Sequence, residues 1–341
     1  MLKVQLSQNL IRPETQVKQS KIAKDQLGKF RLKKLLASAL IIVSAVALSG
    51  CTPNMYDGLK STCGEFKTGA EVKQVKVSTD LKKVPTVNFK TPIDSAKPKL
   101  QTAVIVEGQG PKITGNQFVT WDYAVFSGAD KSEITKTSFN GKDSPQQMIP
   151  SSGDLCTALA GVREGSRIAL LVPSEVAGTS STGVPAAQIW VFDIKTVFLP
   201  HASGSVRPAE NGMPTVVRDV NGKPAVKIPS AAEPTSYRSA VTVEGSGDVV
   251  KKDDSVIVHY AGYLWDGTIF DSSWDKNQPE KFTVNESSLI PGMVKALKGV
   301  KVGSQVLAII PADQAYGATG NGAVPPNATL VFVIDVLGIV K

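Results

Sequence analysis

Apolar positions in this chain gather into short runs of strand length, not into long helical periods. Ser255–Leu264 is dense in β-branched and aromatic residues. Asp266-Gly267 follows, a pair suited to a tight hairpin turn. Val306–Ile310 and Thr329–Val336 are further apolar runs of strand length. One short helix is expected at about Gly292–Leu297, after Pro291 and before Gly299. The pattern predicts an α+β unit in which a twisted antiparallel sheet packs on one short helix.

That unit occurs twice. Ala103-Val-Ile-Val-Glu-Gly-Gln-Gly110 reappears as Ala240-Val-Thr-Val-Glu-Gly-Ser-Gly247, and Val119–Tyr123 lies over Val256–Tyr260 at an offset of 137. Leu159–Ser166 lies over Leu297–Ser304, and Ile168–Pro173 over Val306–Pro311. Two copies point to duplication into two domains, not to a solenoid. The domains are expected at residues 101–199 and 238–341. Residues 51–100 and 200–237 are proline-containing and read as a tether and a linker of extended, weakly packed chain. Their ends nevertheless agree weakly, Pro85-Thr-Val against Pro224-Ala-Val, which leaves room for an edge strand.

Charge changes the picture only at the start. The net charge is +8, of which residues 1–50 carry nine Lys/Arg against two Asp/Glu. The body is close to neutral and offers no excess positive field for a phosphate backbone, so no nucleic-acid partner is expected. Two histidines, three cysteines and no CxxC pair give no basis for a metal site. Within residues 1–50 a basic segment precedes the uncharged run Leu35–Ser49, too short for the ~20 residues of a membrane span and suited to a secretory signal. It ends Leu48-Ser49-Gly50-Cys51, which resembles the bacterial lipobox, with an unusually long basic region before it. The resemblance implies lipidation of Cys51, anchorage to the membrane by acyl chains and an extracytoplasmic location. Cys63 and Cys156 then sit in an oxidising compartment, as a disulfide or as two free thiols.

His259-Tyr260-Ala-Gly-Tyr-Leu-Trp-Asp-Gly-Thr-Ile-Phe270-Asp271, with Ala315-Tyr316-Gly-Ala-Thr-Gly320 and Val324-Pro325-Pro326 running to Phe332, resembles the FKBP-type peptidyl-prolyl cis–trans isomerases over about residues 240–340. The resemblance implies a five- to six-stranded antiparallel sheet wrapped around a short helix, with an apolar pocket between them. It implies catalytic positions at Tyr260, Phe270, Asp271, Tyr316 and Phe332. Substrate-binding positions are implied at Phe282, Leu289, Ile290, Met293 and Val324, with the backbone at Leu289 and Ile290 contacting ligand. Two positions depart from the family: the pocket floor, commonly Trp, is Met293, and a rim aromatic is replaced by Glu280, beside Lys281. The loop Asn321-Gly322-Ala323 is short. His259 is read as structural, not as a base.

The implied chemistry needs no cofactor. Amide resonance sets a barrier of ~18–20 kcal/mol to rotation about X-Pro, and the twisted transition state has lost that resonance. A dry, preorganised aromatic pocket favours it over the planar amide, and the resemblance places Tyr316 to hydrogen-bond the substrate carbonyl. Expected partners are proline-containing polypeptides and inhibitors of the macrolide immunosuppressant type. The first copy keeps Tyr123, Gly161, Gly165, Pro173, Trp190 and Asp193, but Phe270-Asp271 falls near Lys136-Thr137, and Val176–Ser181 lacks the tyrosine. A non-catalytic module that holds proline segments is the alternative to an enzyme. A spacer lipoprotein is a third reading.

Overall fold

The computed structural model describes residues 61–93, 99–141, 144–177 and 186–340. The lipobox and Cys51 lie outside the described residues, as do residues 178–181 of the first copy's equivalent of the Tyr316 segment. The first half runs α1 (Ala70–Lys73), β1 (Lys76–Val77), β2 (Val87–Asn88), β3 (Gln101–Val106), β4 (Gln117–Ser127), β5 (Glu133–Lys136) and β6 (Gln146–Ile149). It continues through α2 (Asp154–Leu159), β7 (Arg167–Val172), α3 (Ser174–Ala177) and β8 (Gln188–Val197). The second half runs β9 (Ser205–Val206), β10 (Thr215–Arg218), β11 (Pro224–Lys227), β12 (Arg238–Glu244), β13 (Ser255–Leu264), β14 (Ile269–Ser272) and β15 (Glu280–Thr283). It ends with α4 (Pro291–Leu297), β16 (Gln305–Ile310) and β17 (Leu330–Val340).

The two main sheets have one topology. Strand order is β3-β7-β8-β4-β5 in the first and β12-β16-β17-β13-β14 in the second, all antiparallel, with β6 and β15 paired to β4 and β13. Register shifts recur at equivalent places: Val104/Val106 with Val241/Val243, Thr120/Trp121 with Ile257/Val258, and Val125/Phe126 with Gly262/Tyr263. Bulges bend and re-aim strands, so their repetition gives the two sheets the same curl around their helices. The inner face of each sheet packs on its helix, with Leu159 of α2 and Leu297 of α4 both fully buried.

The outer faces correct the reading of residues 51–100 and 200–237. Over the described residues 61–93, 99–100 and 200–237 these segments are packed structure, not extended tether and linker. Val72, Val75 and Phe89 cover Ala169, Leu171, Ile189 and Val191 on the outside of the first sheet. Met213, Val216, Val226 and Ile228 cover Tyr263, Leu307, Ile309, Val331 and Val333 on the outside of the second. Val72 sits on α1, Val75 and Phe89 flank the β1–β2 hairpin, the β10–β11 hairpin and its flanks carry the second set, and β9 adds a strand beyond β12. The boundary expected at residue 238 therefore falls inside a packed unit. Proline did not prevent this, because Pro224 opens its strand in a two-stranded hairpin, where a missing N–H is tolerated.

Two buried polar clusters show how the halves diverged at one position. In the first, the fully buried Arg167 donates Nε to Asp193 Oδ1 at 2.6 Å and Nη2 to Asp193 Oδ2 at 2.8 Å. Its other protons go to the carbonyls of Ser78, Asp80 and Lys83, which clamps the β1–β2 turn to the sheet. In the second, Gln305 replaces the arginine and donates to Asp335 at 2.8 Å, while the Ala202 N–H donates to the same carboxylate at 2.7 Å. Burial outweighs the hydrogen bonds from Ala202 and Gln305 and pushes the Asp335 carboxyl up to about 6.

Cys63 and Cys156 form a disulfide, with Cα atoms 5.0 Å apart, that ties the chain before α1 to α2. The halves meet where Phe198 and Leu199 pack on Ile257 and Leu337. Gly338 permits that contact, since a Cβ there would stand 2.4 Å from Phe198 Cδ1.

Candidate functional site

A cleft of about 520 Å³ opens between the inner face of the second sheet and α4. β13 supplies Tyr260, β14 Phe270 and Asp271, β15 Phe282, and β17 Phe332. Leu289 and Ile290 precede α4, Met293 faces the cleft from its first turn, and Tyr316 follows the short helical turn Ala312–Gln314. Phe282 stands 5.4 Å from Tyr260, which stands 6.2 Å from Phe332, and Phe270 meets Phe332 edge-on at 5.5 Å. Such tilted and edge-on rings lock each other's rotamers and leave a rigid apolar wall. Gly262 makes room for the wall, since a Cβ there would stand 2.5 Å from Phe270 Cζ. Met293, Tyr260 and Phe332 are buried, and the other lining side chains are half-buried or exposed, so the cleft is dry at the floor and open at the lip.

One residue expected at the cleft is not on its wall. Val324 is buried in the core that also holds Tyr260 and Phe332, and its backbone closes the Asn321–Val324 turn with two 2.9 Å hydrogen bonds. The remaining residues singled out in the sequence, Tyr260, Phe270, Asp271, Phe282, Leu289, Ile290, Met293, Tyr316 and Phe332, are all brought together.

The rim is charged. The Tyr260 hydroxyl donates to Asp271 Oδ2 in a short hydrogen bond and also faces Glu280 Oε1 at 3.3 Å. Lys276 Nζ bridges the two carboxylates at 2.9 Å each and stands 5.9 Å from the centroid of the Tyr260 ring. Burial, reinforced by the Asp271 hydrogen bond, pushes the Tyr260 phenol well above its ordinary value. Burial also pulls the Asp271 carboxyl upward, but hydrogen bonds from Lys276 and Tyr260 outweigh it and the net shift is down. The Asp271 and Glu280 carboxylates hold Lys276 firmly protonated. Tyr260 is thus a neutral donor and Asp271 an anion throughout the ordinary pH range.

Lys276 and the lip residues Glu286, Ser287 and Ser288 were missed in the sequence. Lys276 lies in the turn between β14 and β15, where neither a strand nor a helix period selects it. His259 is structural, as expected: fully buried, paired through Nδ1 with Ser273 Oγ at 2.8 Å and stacked on Trp274 at 4.0 Å. Burial, with a smaller repulsion from His201, drops its pKa to about 3 and keeps it neutral.

Register corrects the placement of the first copy's site. Ala261 pairs with Ser272 and Gly262 with Asp271, while Ala124 pairs with Lys136 and Val125 with Thr135. Phe270-Asp271 therefore corresponds to Ile134-Thr135, two residues before the expected Lys136-Thr137. The hydrogen bonds agree, because Thr137 Oγ1 donates to Asp122 at 2.9 Å where Ser273 meets His259. The offset between the copies falls from 137 on β4 and β13 to 136 on β5 and β14, because the first copy's intervening loop is one residue longer. By the same logic Phe282 corresponds to Gln147, since Val256 and Val119 are their strand partners. Tyr123 and Trp190 keep the places of Tyr260 and Phe332 and stack on one another at 6.0 Å.

The second half is thus an antiparallel sheet curled over one helix, with an aromatic cleft between them. Residues 247–337 match the FKBP-type peptidyl-prolyl cis-trans isomerase family. Residues 247–337 thus form a domain of the FKBP-type peptidyl-prolyl cis–trans isomerase family. The chain is 38% identical over 99 residues to the FKBP-type peptidyl-prolyl cis-trans isomerase FkpA of Escherichia coli, a match covering 29% of this chain and 36% of that protein. It is 45% identical over 97 residues to the FKBP-type 22 kDa peptidyl-prolyl cis-trans isomerase of the same species, covering 28% and 46%. The match thus spans less than half the length of these curated relatives. Among solved structures, FkpA from Escherichia coli aligns with a TM-score of 0.30 at 32% identity, covering 38% of this chain and 53% of that one. A peptidyl-prolyl cis-trans isomerase from Pseudomonas syringae aligns with a TM-score of 0.28 at 35% identity, covering 31% and 76%.

Proposed function

We propose that this protein is an exported, lipid-anchored peptidyl-prolyl cis–trans isomerase that assists the folding of exported or surface proteins at the membrane. The observation that carries the reading is the single cleft of five aromatic rings, Tyr260, Phe270, Phe282, Tyr316 and Phe332, over the apolar floor of Met293. It accommodates a proline ring with its preceding residue and strips water from the X-Pro amide. Because the twisted amide is less polar than the planar one, that desolvation favours the transition state. A 10⁵-fold acceleration requires about 7 kcal/mol of differential binding. The Leu289 N–H is taken up by the Asn285 carbonyl at 3.0 Å, so the Ile290 N–H is the backbone donor for a substrate at this lip. Macrolide-type inhibitors would compete for the same walls. In the first half Ile134, Thr135 and Gln147 stand where Phe270, Asp271 and Phe282 stand in the second, which supports a framework retained without the site.

The test is a proline-limited peptide isomerisation assay on the mature chain. Acceleration is expected, and Tyr316→Phe is expected to lower kcat/KM by about two- to twelve-fold, the worth of one hydrogen bond of roughly 0.5–1.5 kcal/mol. A thousand-fold loss would mean proton or covalent chemistry at Tyr316 and would refute the desolvation mechanism. Peptide binding without acceleration would favour the alternative of a holding module, a reading supported by the replacement of rim and floor aromatics with Glu280 and Met293.

The anchor is tested separately. Among the described residues no helix is long and apolar enough to cross a membrane. Cys51→Ala is expected to shift the protein out of the membrane fraction or to leave it unprocessed, because a thiol must receive the lipid. Unchanged processing and membrane retention would refute lipid anchorage at that residue.

A further inference from the structure

The isomerase reading leaves open which proline segments the cleft prefers, and the rim carries an answer that rests on that reading. Asp271 and Glu286 line the cleft, and Glu280 reaches the Tyr260 hydroxyl from β15. Against these three carboxylates the rim sets one ammonium, Lys276, already divided between Asp271 and Glu280. Neighbouring cations do not redress the excess. Lys281 alternates with Glu280 and Phe282 along β15 and so projects from the opposite face of the strand. Lys295, on α4, donates to Gln314 at 2.7 Å and lies over the Tyr237 ring.

We propose that Glu280 and Glu286 make this cleft selective for proline segments bearing a lysine or arginine within a few residues of the proline, with an apolar residue directly before it. The apolar residue and the proline ring fill the aromatic floor. The basic residue lies across the lip, where the unbalanced carboxylates stand beside apolar walls that limit screening by solvent. Glu280 is the specificity-determining position. An aromatic residue there would widen the greasy wall, whereas a carboxylate turns it into one half of an acidic lip. Asp271 and Glu280 share the single Lys276 ammonium, but Asp271 contributes less to the selection because it also takes the Tyr260 hydroxyl in the shorter hydrogen bond, whereas Glu280 lies 3.3 Å from that hydroxyl.

The experiment compares kcat/KM of the mature chain on three peptides that share one Leu-Pro core and differ by Lys, Gln or Glu two residues from the proline. The Lys peptide is expected to exceed the Glu peptide by about fivefold at low ionic strength, the scale of one exposed charge pair, with the ratio falling towards one in high salt. Glu280→Gln and Glu286→Gln are each expected to reduce that ratio, while Lys281→Gln leaves it in place. Two variants on different elements guard against a folding defect in either. Equal kcat/KM for Lys and Glu peptides in the wild type, or a ratio unaffected by both glutamate variants, would overturn the proposal while the isomerase reading stands. No acceleration of even the neutral peptide would remove the isomerase reading and this selectivity with it.

Discussion

A fragment beginning at residue 238 is expected to fail as a stable domain, whereas one beginning at residue 200 folds cooperatively. The difference is the β10–β11 hairpin and its flanks. Met213, Val216, Val226 and Ile228 cover the outer face of the second sheet. Burying four such side chains contributes on the order of 4–6 kcal/mol, comparable to the whole stability of a small domain at about 5–15 kcal/mol. The truncation also orphans two polar groups, because the Tyr263 hydroxyl donates to the Pro224 carbonyl at 3.0 Å and the Trp265 indole to the Ala231 carbonyl at 2.9 Å. Thermal melts of the two fragments, with dye binding to report exposed apolar surface, decide the matter. Equal melting temperatures would mean that the hairpin rests on the sheet without stabilising it.

Arg167→Ala is expected to destabilise the first half by about 3–5 kcal/mol, because it leaves the buried Asp193 charge with only the more distant Lys195, 3.9 Å away. The same change releases the carbonyls of Ser78, Asp80 and Lys83, so the β1–β2 turn should lose amide-exchange protection before the rest of the sheet. Replacing both partners by leucine should cost less than replacing the arginine alone, since an apolar pair leaves no uncompensated charge. Chemical denaturation of the three variants measures the ordering. A single mutant no less stable than the wild type would show that the clamp contributes no stability.

The strands of the second half were legible because their composition and turn chemistry agree. Ser255–Leu264 was expected as one strand and is one, and Asp266-Gly267 makes the turn, with Gly267 at φ 90° and the Thr268 amide held by Asp266. The helix was one residue short of Pro291–Leu297. The last strand extends four residues past its expected end, to Val340, because Gly338–Val340 pair with Ser255–Ile257. No local preference records that pairing. The cleft residues were legible through the order of two long motifs, whereas Val324 was misplaced because side-chain direction after a tight turn depends on what the turn packs against.

The outer-face hairpins were signalled in principle. Arg167–Val172 and Gln305–Ile310 are buried at every position, and a strand apolar on both faces needs cover on both. One helix covers one face, so a second element had to exist. What it was could not be read locally, since the proline-containing segments lack a strong period of their own and take their shape from the sheet beneath them.

By itself the sequence determined the duplication, the α+β class, the longest strands of the second repeat and the family of the second domain, because each rests on residue types in a recognisable order and spacing. Tertiary structure alone decided the rest. Lys276 reaches Asp271 and Glu280 only because β14 and β15 fold back on the same strand, β13. Ile134-Thr135 rather than Lys136-Thr137 occupy the first copy's site because register is set by hydrogen bonding across strands. Arg167 finds the carbonyls of residues 78–83 across more than eighty residues of chain. Contacts between residues distant in sequence depend on the packing of the whole sheet, and no run of neighbouring residues encodes them.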